Sequence, residues 1–266
     1  MKKYGLIGYP LSHSFSQRYF EEKFAKEGIT DAEYKLYPLQ SVQDFQDLLH
    51  QNPDLCGLNV TVPYKIDILE EMDWMSEYAK GIGAVNCIRI SSESPVLAAF
   101  SGEVGLAGHD FRLEGFNTDA YGFEMSLKPL LKSHHEQALI LGDGGAARAV
   151  KYVLSDMSIP YKIVTRKAFE TSTLFEQLTP QDIEEHTLII NTTPVGMSPD
   201  IEAYPPIPYE YINSDHLLYD LIYNPEETAF LRKGREMGAA TKNGHEMLIL
   251  QAEKSWEIWN SKAKHP

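Results

Sequence analysis

The chain has 266 residues, 43% hydrophobic and 23% charged, a balance that speaks against a disordered protein and suits two globular domains of ordinary size. A formal net charge of −14 repels nucleic acid and anionic membrane surfaces, so neither is an expected partner, although a local basic pocket can still hold a small anion. Two cysteines, Cys56 and Cys87, are too few for a disulfide-framed secreted scaffold, and no apolar run reaches the roughly 18 residues of a membrane span.

Lys3 to Gly8 reads as a buried strand, which Pro10, Ser12 and His13 end too early for a signal core; a cytoplasmic location follows as the expectation. Ser16 to Gly28 reads as a helix closed by glycine, Glu33 to Pro38 as a strand, and Val42 to His50 as a short helix. Leu55 to Val62 is a third strand, stopped by Pro63. Ile66 to Ala79 reads as helical, and Gly83 to Ile90 as strand again. Such alternation predicts an open α/β domain with a mostly parallel sheet. The pattern weakens from Ser91 to Gly115, where a hairpin-like excursion is expected, and Tyr121 to His134 reads as a helix able to bridge domains. A second run of strand and helix starts at Gln137, with strands over Ala138–Leu141, Tyr161–Thr165, Thr187–Asn191 and Leu217–Leu221. An amphipathic helix from Glu246 to Trp259 ends it.

The first strand of that second run leads into Gly142-Asp143-Gly144-Gly145-Ala146-Ala147 and then a helix. Gly142, Gly144 and Ala147 fit the G-x-G-x-x-A dinucleotide fingerprint. The first glycine makes the tight turn, the second admits pyrophosphate to the backbone, and the small third residue lets helix pack on strand. The helix N-terminus offers N–H groups to the phosphates. Asp143 carries a charge that would oppose pyrophosphate unless it points outward, as expected. The next strand ends at Arg166-Lys167, where an NAD enzyme would place an acid for the ribose 2′-hydroxyl. Arginine there pairs with a 2′-phosphate, so NADP is the expected cofactor; two solvated surface charges are the plain alternative.

In the first half, polar residues stand at strand ends, where open α/β sheets bind ligands. Ser14 and Ser16 precede a helix and suit a carboxylate, although a serine there alone reads as a cap. Asn59 and Thr61 alternate along an otherwise apolar strand, with Lys65 just past Pro63. Asn86 follows Gly83-Ala84-Val85, and Asp119 ends Asn117-Thr118-Asp119, where it reads equally as an N-cap.

Taken as an ensemble, these segments resemble the shikimate dehydrogenase family over nearly the whole chain. His13-Ser14-Phe15-Ser16 is similar to its H-S-x-S motif, Asn59 to Lys65 to N-V-T-x-P-x-K, Gly83 to Asn86 to G-A-V-N, and Asn117 to Asp119 to N-T-D. The glycine turn, Asn191-Thr192-Thr193-Pro194-Val195-Gly196-Met197, Tyr223 and Gln251 match the remaining motifs in family order. Gln17 stands where the family usually has proline, Asp143 replaces a usually small residue, and the 91–115 segment is longer than expected.

The resemblance implies two domains. Residues 1–120 with 245–266 would bind substrate, the last helix returning to this domain, and residues 121–244 would form a Rossmann-like NADP-binding domain. It implies reversible reduction of 3-dehydroshikimate to shikimate, with Lys65 as proton donor and acceptor beside Asp119. Ser14, Ser16, Thr61, Asn86, Tyr223 and Gln251 are the implied substrate residues. Gly142, Gly144, Gly145, Ala146, Arg166, Lys167, Thr193, Leu221 and Gly244 are the cofactor residues. No His/Cys/Asp spacing points to a metal. The partner is a small molecule, and the oligomeric state stays open between monomer and homodimer. Rival readings are a quinate/shikimate dehydrogenase that also uses NAD, a dehydrogenase of the methylene-tetrahydrofolate type, a non-catalytic NADP sensor, and a structural α/β protein.

Overall fold

The computed structural model describes residues 1–11, 14–92, 111–167 and 171–261. They form two compact units, Met1–Thr118 with Ala252–Pro266, and Asp119–Gln251.

The first unit opens with β1 (Lys2–Gly8), whose inner residues are buried as an apolar run. The helix α1 (Phe15–Glu27) follows. Its N-cap is Ser14, whose hydroxyl accepts the Ser16 N–H, and it stops at Gly28 in the left-handed region with φ 67°. Next come β2 (Ala32–Pro38), α2 (Phe45–Gln51) and β3 (Leu55–Val60). The helix expected over Ile66–Ala79 is broken into a 3-10 turn at Asp67–Glu71, the two-residue β4 (Trp74–Met75) and α3 (Glu77–Ile82). Pairing overrides helical propensity here: Trp74 lies opposite Glu114, the Asp73 carboxylate accepts the Leu113 N–H at 2.7 Å, and Ser76 caps a new helix.

The sheet is completed by β5 (Cys87–Ser92) and β6 (Phe111–Phe116), in the order β2-β1-β3-β5-β6-β4. β5 alone runs against its neighbours, antiparallel to β3 and to β6. That antiparallel pair forms the two ends of the expected excursion; residues 93–110 lie outside the described residues. Arg89 and Glu114 face each other across it, both buried and 2.5 Å apart.

The second unit carries most of α4 (Thr118–Leu127), then β7 (Ala138–Leu141), α5 (Gly145–Asp156), β8 (Tyr161–Thr165), β9 (Ser172–Leu174), α6 (Pro180–Glu185) and β10 (Leu188–Asn191). β11 (Leu217–Asp220), α7 (Ala229–Glu236) and β12 (Ala240–Lys242) complete it. Every strand pair is parallel, in the order β12-β11-β10-β7-β8-β9. This is the doubly wound dinucleotide-binding order, and it reverses direction between β7 and β10.

The last helix, α8 (His245–Asn260), belongs to the second unit as far as Gln251 and to the first from Ala252. In the first unit Trp259 stacks on Tyr4 with ring centroids 4.9 Å apart, and its indole N–H donates to the Ile88 carbonyl at 2.9 Å. Large aromatic burial with the one polar atom satisfied is a strong anchor for this segment.

Candidate functional site

Register decides which side chains gather in the first unit. Ile7 pairs with Val60 and Gly8 with Pro38, so the carboxyl ends of β1, β2 and β3 lie at one edge. β5 runs the other way, with Asn59 opposite Cys87, which brings its first residue and Asn86 before it to the same edge. Cys87 in turn faces Phe116, so Asn117 and Thr118 arrive there as well. Ser14, Ser16, Thr61, Lys65, Asn86 and the start of α4 therefore leave the sheet at its ligand-binding edge.

Each of these positions has a local reason. Thr61 lies one residue past β3; its N–H bonds the Ile7 carbonyl at 2.9 Å and its carbonyl accepts the Tyr64 N–H at 3.1 Å. That turn carries the chain to Lys65, whose own carbonyl accepts the Val85 N–H at 2.8 Å. Lys65 is half-buried. Asn86 is buried: its Oδ1 accepts the Thr118 N–H at 2.6 Å and its Nδ2 donates to Thr118 Oγ1 at 3.1 Å. Asp119 is the second residue of α4 and sits in its first turn, so its sequence reading as an N-cap does not hold. Ser14, not Ser16, caps α1, its hydroxyl oxygen accepting the Ser16 N–H at 3.1 Å. Asn59, read from sequence as a ligand group, is instead buried among protein partners. Gln251 is buried and donates to the Leu248 carbonyl; Tyr223 is 37% exposed.

In the second unit the switch point lies between β7 and β10. The Gly142 N–H bonds the Val164 carbonyl at 2.8 Å, with φ 101°, and an added Cβ would stand 2.8 Å from Thr193 Cγ2. Only glycine fits that turn. Gly144 and Gly145 differ: a Cβ on either would meet nothing within 4 Å. Packing does not demand glycine there, whereas a ligand lying against the backbone would. Gly144 caps α5 without a side-chain bond, and no acid occupies the first turn; the Ala147 N–H bonds the Gly144 carbonyl at 3.1 Å, which leaves the Gly145 and Ala146 N–H groups, among the described residues, to serve an anion. These residues fit a dinucleotide pyrophosphate. Asp143 is exposed and paired with Lys151 at 2.5 Å, which offsets its charge beside the turn. Arg166 and Lys167 are both exposed just past β8, where Thr165 Oγ1 donates to the Lys167 carbonyl.

Thr193 is tied into the loop after β10. Its hydroxyl donates to Asn191 Oδ1 at 2.7 Å and accepts the Val195 N–H at 3.2 Å. Asn191 in turn donates to Asp220, the last residue of β11 and fully buried. Asp220 also accepts from the Ile222 N–H and the Thr228 hydroxyl. It therefore fastens the loops that carry Thr193 and Leu221, a role the sequence reading missed. Its one signal was an acid ending the buried run Leu217-Leu218-Tyr219.

Burial pushes the Asp220 carboxyl from 3.8 up to about 6, against the three bonds that favour its charge. Between those values the folded chain keeps a proton that the unfolded chain has lost. Stability from this group is therefore full below about pH 4 and falls by about 2–3 kcal/mol as pH rises through 6. Asp220→Asn removes that dependence. Melting curves of both proteins from pH 4 to 7.5 should show the variant gaining on the parent as pH rises; a constant difference would refute the assignment. Acids shifted the other way, such as Asp182, held at about 2 with the help of Lys162, are common to both proteins and cancel.

A model of the shikimate dehydrogenase substrate binding domain matches residues 6–88. The shikimate dehydrogenase (NADP(+)) of Clostridium beijerinckii is 36% identical over 269 residues, covering 97% of this chain and 92% of that protein. A solved shikimate 5-dehydrogenase from Thermus thermophilus, in complex with NADP(H) and shikimate, superposes with a TM-score of 0.78 at 28% identity, covering 98% of this chain and 94% of that one. A Listeria monocytogenes structure of the same enzyme name, in complex with shikimate and NAD, gives a TM-score of 0.80 at 27% identity, covering 97% and 91%.

Proposed function

The chain belongs to the shikimate dehydrogenase family, and on that premise we propose that it interconverts 3-dehydroshikimate and shikimate with NADP(H). The observation that carries this reading is the gathering of Ser14, Ser16, Thr61, Lys65 and Asn86 at one sheet edge, in a chain whose other unit has the dinucleotide-binding strand order. We assign residues 1–120 with 245–266 to substrate and 121–244 to cofactor. The partner is then a small molecule. Two free cysteines suit the reducing cytoplasm in which we place the enzyme.

Bound NADPH supplies the hydride; the protein supplies position and the proton. Gly142, Gly144, Gly145 and Ala146 would hold the pyrophosphate, Arg166 and Lys167 the 2′-phosphate, and Thr193, Leu221 and Gly244 the nicotinamide end. Ser14 and Ser16, with Tyr223, would hold the substrate carboxylate. Thr61, Asn86 and Gln251 would meet ring hydroxyls. Lys65 gives its proton to the C3 oxygen as negative charge builds there, and takes it back in the reverse direction. Asp119 orients that ammonium and holds a substrate hydroxyl.

Absorbance of NADPH during shikimate oxidation tests the reading. NADP reduction with shikimate, and little with quinate or NAD, is expected; equal rates with NAD or quinate would transfer the chain to the broader dehydrogenase class. NADP binding without any turnover would favour a sensor. Arg166→Ala should raise the KM for NADP by about 10–100-fold, the worth of a charge-assisted phosphate contact, and leave that for NAD within about threefold. Equal effects on both cofactors would remove Arg166 from 2′-phosphate recognition.

A further inference from the structure

Asn86 is held by more than its nearest neighbour. Starting from the far side, the Tyr34 phenol is 3% exposed and donates to Asn59 Oδ1 at 2.9 Å. The Asn86 backbone carbonyl, which can only accept, lies against the other end of the Asn59 amide, so that end is the nitrogen and the Tyr34 end the oxygen. The Asn59 Nδ2 must then donate, and its acceptors are Ser255 Oγ at 2.9 Å and the Asn86 backbone carbonyl at 3.3 Å. Ser255, on α8 and fully buried, lies 3.2 Å from Thr118 Oγ1. Thr118 meets the Asn86 side chain three times: N–H to Oδ1 at 2.6 Å, and its hydroxyl within 3.2 Å of both amide ends.

The inventory of donors then decides what Asn86 can offer. Its Oδ1 is committed to Thr118, and one of its two Nδ2 hydrogens goes to Thr118 Oγ1. Among the described residues the second hydrogen has no partner. Asn86 thus faces a ligand as a donor only, matched to a hydroxyl oxygen acting as acceptor. If Thr118 were free to turn, the amide could flip and present its oxygen instead.

We propose that Ser255 and Tyr34 are positioning residues that lock Asn86 as a hydrogen-bond donor to a substrate hydroxyl, acting through Asn59 and Thr118. The inference rests on the shikimate dehydrogenase reading. It draws residues 25 and 196 positions from Asn59 into one relay, all within the first unit. Burial also keeps the Tyr34 phenol protonated, so the first donor in the relay is constant with pH.

Ser255→Ala and Tyr34→Phe each remove one hydroxyl with little change of shape. In the full-length enzyme each should raise the KM for shikimate about 3–10-fold, the range for one hydrogen bond, while the KM for NADP moves less than twofold. Because both act on one amide, the double variant should be no worse than about the poorer single. A lowered melting temperature with an unchanged KM for shikimate would make the relay merely structural and overturn the proposal, as would fully multiplied effects. A parent enzyme with no shikimate turnover would instead remove the underlying reading, and this inference with it.

Discussion

Lys65→Ala lowers kcat for shikimate oxidation by about 10²–10⁴-fold, the usual contribution of a proton-transfer group. The side chain is half-buried on the turn after β3, where its backbone carbonyl accepts the Val85 N–H. Truncation therefore leaves that backbone bond in place, and the melting temperature should stay close to the parent's. NADP binding, followed by protein fluorescence, should also be unchanged. A kcat loss with both of those intact assigns the effect to chemistry. Lys65→Arg then separates two roles. Arginine keeps the positive charge but does not give up a proton near neutral pH. If Lys65 transfers the proton, the arginine variant is as slow as the alanine one; if it stabilises the developing alkoxide mainly by charge, arginine restores a substantial part. Turnover undiminished in Lys65→Ala would remove the proposed mechanism.

The parts of this molecule that were legible in sequence are those whose signals are local. The turn at Gly142–Ala147 sits between a buried strand and a helix, and both neighbours are where the pattern puts them. Short turns also left signals that the sequence reading passed over. Thr179-Pro180-Gln181-Asp182 has a capping threonine, a proline at the first helical position and an acid three residues past the cap, and it starts α6; Thr228 similarly caps α7. Ile66–Ala79 misled because its apolar spacing is helical, while its fate depends on Leu113 and Glu114 some 40 residues further on. Asn59 shows the same limit at a polar residue. A buried amide needs partners, and sequence alone offered a ligand. The actual partners, Tyr34 and Ser255, come from a strand and a helix far apart in the chain. Long-range pairing of this kind has no period and no neighbouring cue.

Two glycines in the second unit should fail in opposite ways. An alanine Cβ at Gly244 would lie 2.1 Å from the Leu221 carbonyl oxygen and 2.6 Å from its carbon. Those are backbone atoms, held by the Leu221 N–H bond to Asn191 and by the Gly244 N–H bond to Ile222, so neither side can move alone. Gly244→Ala should cost about 1–3 kcal/mol or more, as overpacking does. For a chain of this length that is a fall of roughly 2–4 °C in Tm per kcal/mol. Because Leu221 would be displaced, the KM for NADP should rise too. Gly145→Ala starts from the reverse condition: its Cβ enters open space at the first residue of α5. Alanine there should leave Tm equal or raise it, by up to about 1 kcal/mol of helix stability. Yet NADP affinity should fall, since the pyrophosphate is assigned that same space. A Gly145→Ala enzyme that is more stable and binds NADP as tightly as the parent would take the phosphates away from this turn. A Gly244→Ala enzyme with unchanged Tm would mean that the β11–α8 junction yields more easily than its contacts indicate.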